Sequence, residues 1–175
     1  MNKIKILAIP GSLRAASSSN AILRKLKTYA PEGVDFVIYN GLASLPHFDD
    51  REDVPDTVSD FRRQLKEADA ILICTPEYAF GVPGSLKNAL DWTVSTADFM
   101  DKPVSLITAS SSGEKGHAAL LMILGAISAR VIEEAAVLIS FVRAKVNKEG
   151  EITDPATEQS LRAALTALIN SVPGK

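Results

Sequence analysis

A chain of 175 residues with 46% hydrophobic content has enough apolar material for one domain with a core, and too little length for two ordinary ones. Lys and Arg number 19 against 21 Asp and Glu, a net charge of -2, so there is no extended positive field and nucleic acid is not an expected partner. The single Cys, Cys74, sits in the apolar run AILICTP; an internal disulfide is ruled out, a cytoplasmic setting fits, and the residue reads as small core filler rather than a nucleophile.

In chain order, the opening MNKIKILAIPG holds only a short apolar run that alternates with lysine, so it reads as a first strand and not as a signal peptide or membrane span. Ser19 to Ala30 follows as a helix stopped by Pro31, and VDFVIYN as a second strand. A second helix follows Pro55, with Val58, Phe61, Leu65 and Ala68 on one face at spacings of three and four. DAILICTP is a third strand, after which Pro83 takes a first-turn position and opens a third helix through Leu86, Ala89, Leu90 and Trp92.

PVSLITAS is the fourth strand and Gly116 to Ala129 the fourth helix. RVIEEAAVLIS supplies a fifth strand around Val131 to Leu138, its limits blurred by Glu133 and Glu134. NKEGEITD reads as a turn, and DPATEQSLRAALTALINSV closes the chain as a helix capped by Asp154. This alternation implies one α/β domain over residues 1–175: a doubly wound five-stranded parallel sheet, order 2-1-3-4-5, with helices on both faces.

In such a sheet ligands sit beyond the carboxyl ends of the strands, near the reversal of winding. The loops that follow strands one, three and four are PGSLRAASSSN, PEYAFGVPGS and SSSGEKGH. In the first, Gly11 permits a tight turn, Ser12, Ser17, Ser18 and Ser19 offer hydroxyls, and Arg14 a fixed positive charge. The helix behind adds free N–H groups and the positive end of its dipole. A phosphate would satisfy all of these together, whereas the serines alone would equally suit a flexible loop capped by Ser19 or Asn20. The loop is neither G-x-G-x-x-G nor a Walker A, so a phosphomonoester is expected rather than a pyrophosphate or triphosphate.

The second loop carries Pro76, Glu77, Tyr78 and Phe80, whose aromatics suit stacking on a planar ring or a partner subunit, or fold back onto the core. The third, from Ser110 to Gly116, offers backbone amides to a ring edge, or is an ordinary glycine turn. His47, Asp49 and Asp50 in LPHFDDRED read as solvated side chains, and no metal is expected.

The residues GSLR with Ser and Asn soon after, PEY followed by PGSLKNALDW, and the Ser/Gly loop after the fourth strand resemble the NADPH-dependent FMN reductase family, which is flavodoxin-like and includes quinone, azo and chromate reductases. The resemblance runs over nearly the whole chain. It implies that Ser12, Arg14, Ser18, Ser19 and Asn20 hold the FMN phosphate. It further implies that Pro76, Glu77, Tyr78 and Phe80 line the ribityl chain and ring, with Ser110, Ser111 and Gly113 along the ring edge.

It implies an oxidoreductase in which FMN carries the chemistry with no catalytic side chain. Hydride would pass from NADPH or NADH through FMN to a quinone, free flavin, azo compound or chromate in ping-pong fashion. It also implies a homodimer or homotetramer built through the helix containing Leu86, Leu90 and Trp92. Three departures stand out: AASSSN is one residue longer than the usual loop, Ala79 replaces a common Asn, and Gly116-His117 replaces Gly-Gly. The alternatives are a flavodoxin-type electron carrier and a flavin-free binding or regulatory module on the same fold.

Overall fold

The computed structural model describes residues 3–147 and 149–174; Lys148, in the expected NKEGEITD turn, lies outside the described residues. Strands β1 (Ile4–Pro10), β2 (Val34–Ile38), β3 (Ala70–Thr75), β4 (Pro103–Ala109) and β5 (Arg130–Ile139) alternate with helices α1 (Ser18–Tyr29), α2 (Asp56–Glu67), α3 (Gly84–Asp91), α4 (Glu114–Ala126) and α5 (Pro155–Asn170). The strands form one sheet in the order β2-β1-β3-β4-β5, and every pairing is parallel.

The period of two along the strands divides the core. Ile6, Ala8, Leu72, Cys74 and Ile107 pack against Ile22, Leu23 and Leu26 of α1 and Leu161, Leu165 and Leu168 of α5. Leu7, Ile9, Ile71, Ile73, Val104 and Leu106 point the other way, onto Phe61 and Leu65 of α2, Leu86 and Leu90 of α3, and Leu120 and Leu124 of α4. Both β3 and β4 are buried along their whole length, as strands covered on two faces must be. The Cys74 thiol is fully buried, and desolvation pushes its pKa up to about 12, as the core reading requires.

Local differences from the sequence reading have local causes. Ser17, not Ser19 or Asn20, caps α1: its Oγ accepts from the Asn20 N–H at 3.2 Å, so the helix begins at Ser18. Pro83 is the extended residue before α3 rather than its first turn. α4 starts earlier than expected, at Glu114, because Gly113 turns into it with φ +95°. β5 advances from Val131 to Ala136 while β4 advances only from Val104 to Leu106. That bulge expels Glu133 and Glu134 to solvent, and Ser105 Oγ donates to the Ala135 carbonyl at 2.8 Å to secure it.

One expectation is corrected. Leu86, Leu90 and Trp92 are 0%, 1% and 2% exposed within the chain itself, so they belong to its own core and cannot form a subunit interface. The Trp92 indole N–H donates to the Pro46 carbonyl at 2.9 Å, which ties the end of α3 to the long connection after β2. Among the described residues, no helix is long and apolar enough to cross a membrane.

Candidate functional site

The carboxyl ends of β1 and β3 are joined where Gly11 N–H donates to the Cys74 carbonyl at 2.8 Å. A Cβ on Gly11 would land inside the Thr75 side chain, so only glycine allows this approach. The loop beyond uses its own polar groups to hold its shape. Asn20 Nδ2 donates to the Arg14 carbonyl at 2.8 Å, Arg14 N–H donates to Ser12 Oγ at 3.2 Å, and Ser12 Oγ lies 3.4 Å from Tyr78 Oη.

Left over are the groups that face outward from the start of α1. The N–H groups of Ser18 and Ser19 have no acceptor among the described residues. Ser19 Oγ is buried, its residue 1% exposed, and among the described residues it has no oxygen or nitrogen partner, only the weakly hydrogen-bonding Cys74 thiol alongside. The Arg14 guanidinium stands exposed beside them and is also unpaired.

These groups border a cavity of about 210 Å³ whose wall is completed by residues 76–78, 109–111 and 142–143. The structure thus brings together Arg14, Ser18, Ser19, Pro76, Glu77, Tyr78, Ser110 and Ser111. Ser12 and Asn20 lie on the far side of the loop, beside Tyr39 and Leu42, and brace it from there. Phe80 is 72% exposed and turned outward, with Lys115 Nζ 5.0 Å from its ring centroid. Gly113 is the buried hinge into α4. Sequence reasoning missed Ala109, Val142 and Arg143. The last two follow β5, whose carboxyl end reaches the same sheet edge, so the topology that singled out three loops could have singled out this fourth.

The second loop is fixed from α4. Glu77 Oε2 accepts from the Gly116 N–H at 2.7 Å, placing a carboxylate on the positive end of a helix that has no side-chain cap of its own. A Cβ at Gly116 would stand 3.0 Å from the Glu77 side chain, which explains glycine there. Tyr78 and Gly81 exchange two backbone hydrogen bonds of 2.9 Å around Ala79 (φ 47°) and Phe80 (φ 60°). Such a two-residue turn places both central residues in the left-handed region, which Asn and Gly tolerate and Ala does not favour.

The third loop is fixed from β5. Ser110 N–H donates to the Ile139 carbonyl, while Val142 N–H and Phe141 N–H donate to the carbonyls of Ser110 and Ser111. Among the described residues the N–H groups of Ser111 and Ser112 keep no acceptor, so they remain available at the rim. Behind them His117 Nδ1 is 2.9 Å from Thr108 Oγ1, and burial lowers the imidazole pKa. Asp49 is engaged by Arg51, which holds its carboxyl below the usual range.

The residues present fit a phosphorylated ligand with a flat polar ring: unmet N–H donors and an orphaned buried hydroxyl for the phosphate, a half-exposed tyrosine, and free amides along the opposite edge. Comparison with known proteins agrees. The model of the NADPH-dependent FMN reductase family matches residues 4–144. The quinone reductase of Escherichia coli (strain K12) is 34% identical over 94% of this chain and 93% of its own. An NAD(P)H-dependent FMN reductase of Pseudomonas aeruginosa is 31% identical over the same shares, 94% and 93%. In structure, the flavoenzyme NAD(P)H:(acceptor) oxidoreductase FerB of Paracoccus denitrificans superposes with a TM-score of 0.82 over 96% of both chains, at 24% identity, a likeness of fold.

Two outcomes follow from the geometry. Ala79→Asn relieves the left-handed backbone at φ 47° and should stabilise the chain by about 0.5–1 kcal/mol, raising the urea midpoint; an unchanged or lower midpoint contradicts the strain. His117, with its folded pKa depressed, is neutral in both states above about pH 6.5. Below that the unfolded chain takes up a proton that the folded chain resists, so stability falls with pH toward the lowered folded value. His117→Gln should therefore flatten the loss of melting temperature as the pH falls below about 6.5; a profile parallel to wild type below that pH contradicts it.

Proposed function

Because the chain belongs to the NADPH-dependent FMN reductase family, we propose that the cavity at the start of α1 is its FMN site, with the phosphate against Ser18, Ser19 and Arg14. The chain is an FMN-dependent NAD(P)H oxidoreductase, and this membership replaces the electron-carrier and flavin-free readings. One observation supports this reading: the buried Ser19 hydroxyl and two helix N–H groups have no oxygen or nitrogen partner among the described residues and face the same cavity as a guanidinium without an acceptor among them.

FMN, when bound, would supply the redox chemistry, accepting hydride from NAD(P)H for delivery to a second substrate in what would be a ping-pong sequence. The chain's residues bind and orient. Tyr78, braced toward Ser12, would line the ring, and the free N–H groups of Ser111 and Ser112 would hold negative charge at its edge. In this reading no side chain need act as acid or base: Glu77 Oε2 accepts from the Gly116 N–H at the start of α4 and His117 Nδ1 lies against Thr108 Oγ1. A quinone is the favoured acceptor class, on the strength of the Escherichia coli relative's name.

The outer face of α4 supports assembly with a second copy. From residue 116 to 129 the chain has no Asp, Glu, Lys or Arg, and Leu121 and Met122 stand in solvent. A homodimer or homotetramer through this face is favoured over one through Leu86, Leu90 and Trp92, which are buried within the chain. The buried single Cys74 and the NAD(P)H requirement support a cytoplasmic setting.

Arg14→Ala removes a charge-assisted bond of about 1.5–3 kcal/mol, so the FMN dissociation constant should rise roughly tenfold or more while kcat at saturating FMN changes little. Collapse of turnover with unchanged FMN affinity contradicts the role. Met122→Asp should convert the oligomer to monomer in sedimentation velocity; a wild type that is already monomeric at micromolar concentration contradicts the α4 interface.

A further inference from the structure

The chain has eight arginines. Asp49 engages Arg51, Asp60 and Glu67 engage Arg63, Glu158 engages Arg162, and the carbonyls of Trp92 and Ser171 engage Arg62 and Arg130. The remaining three, Arg14, Arg24 and Arg143, have no acceptor among the described residues, and all three line one cleft of about 680 Å³. Three like charges around one space repel each other; the exposed Glu149 carboxylate at the rim is the one acidic group among the lining residues and pairs with none of them, so the excess of positive charge attracts an anion.

This cleft adjoins the FMN cavity and shares with it Arg14, residues 16–18 and Arg143. Past the shared wall the smaller cavity leads to residues 76–78 and 109–111, whereas the cleft leads to Arg24, Val146 and Glu149. A phosphate at the start of α1 therefore borders both spaces. One guanidinium and the helix start suffice for a phosphomonoester; Arg24 and Arg143 ask for a second anionic group joined to the first. The volume lies in the range of small-molecule sites. A ligand that carries a flavin on one side of that phosphate and a further phosphate and nucleoside on the other fills both.

We propose that the cleft between α1 and the segment after β5 takes the adenylate half of FAD, so that the chain holds FAD as well as FMN. This rests on the placement of the FMN phosphate at α1. The first loop lacks a dinucleotide fingerprint, but the second phosphate would be held by side chains, Arg24 and Arg143, and not by the loop. A separate nicotinamide dinucleotide suits the cleft less well, because its reactive ring must reach the flavin past a filled phosphate site. Val146 and Ala21 give the nucleoside an apolar floor, and Glu149, exposed at the rim, is an acceptor for its hydroxyl or amino groups.

The test is calorimetric titration of flavin-stripped protein with FMN and with FAD, on wild type and Arg24→Ala. The expected result is FAD bound within about threefold of FMN, with Arg24→Ala weakening FAD roughly tenfold and FMN less than about twofold. FMN binding with FAD excluded, or equal weakening of both flavins by Arg24→Ala, overturns the adenylate cleft and leaves the FMN site standing. A raised KM for NADPH in FMN-loaded Arg24→Ala with FAD affinity unchanged also overturns it and gives the cleft to the nicotinamide donor. Failure of wild type to bind either flavin overturns both the cleft and the FMN placement beneath it.

Discussion

Polar groups taken out of water must find partners, and at the start of α1 this chain leaves several without any. The loop from Gly11 to Ser17 consumes its own hydrogen-bonding capacity: Asn20 holds the Arg14 carbonyl, Ser12 receives the Arg14 amide, and Ser17 caps the helix. What remains, the Ser18 and Ser19 amides and the buried Ser19 hydroxyl, is a set of donors aimed at one space. An unmet buried polar group costs on the order of 1–3 kcal/mol, so a bound phosphate both recovers that cost and fixes the ligand's position. The other loops are arranged around that point.

They are arranged by the sheet rather than by themselves. Parallel order puts the ends of β1, β3 and β4 side by side, and each loop is then locked by a neighbour. Glu77 reaches from the second loop to the helix after the third, while the Ile139 carbonyl at the end of β5 accepts from the Ser110 N–H and the segment after β5 donates to the carbonyls of Ser110 and Ser111. Rigid walls suit a protein whose task is to hold a cofactor and let small molecules come and go. The exchangeable reactants then meet a site that is already formed, and little ordering is left for them to undergo.

Much of this was legible in the sequence because it rests on period and punctuation. Short β-branched runs alternating with amphipathic helices gave the sheet order, and serines with Arg14 between a strand and a helix pointed to the loop where the unmet donors lie. Contacts between distant segments were not legible. Leu86, Leu90 and Trp92 were assigned to an interface from the family resemblance, and their apolar spacing does not say whether the chain's own segments cover them; here the connection after β2 meets the end of the helix, where the Trp92 indole donates to the Pro46 carbonyl. Arg143 was passed over although the end of β5 was read to within one residue, because the reversal of winding pointed to the loops after strands one, three and four and not to the loop after the fifth. Ser12 and Asn20 carry the resemblance to the family, and their side chains also hold the loop: Ser12 Oγ accepts from the Arg14 N–H and Asn20 Nδ2 donates to the Arg14 carbonyl.

The unpaired arginines extend the same electrostatic logic past the phosphate, since the positive field does not stop at the wall the two spaces share. The central claim is that a flavin seated at α1 carries electrons between NADPH and an acceptor. Its most direct test is the visible absorption spectrum of the FMN-loaded protein under anaerobic conditions, recorded before and after NADPH and again after a benzoquinone. Flavin bands that bleach with NADPH and return with the quinone are the predicted result. Bands that persist through NADPH, or protein that passes desalting without any flavin bands, would contradict it.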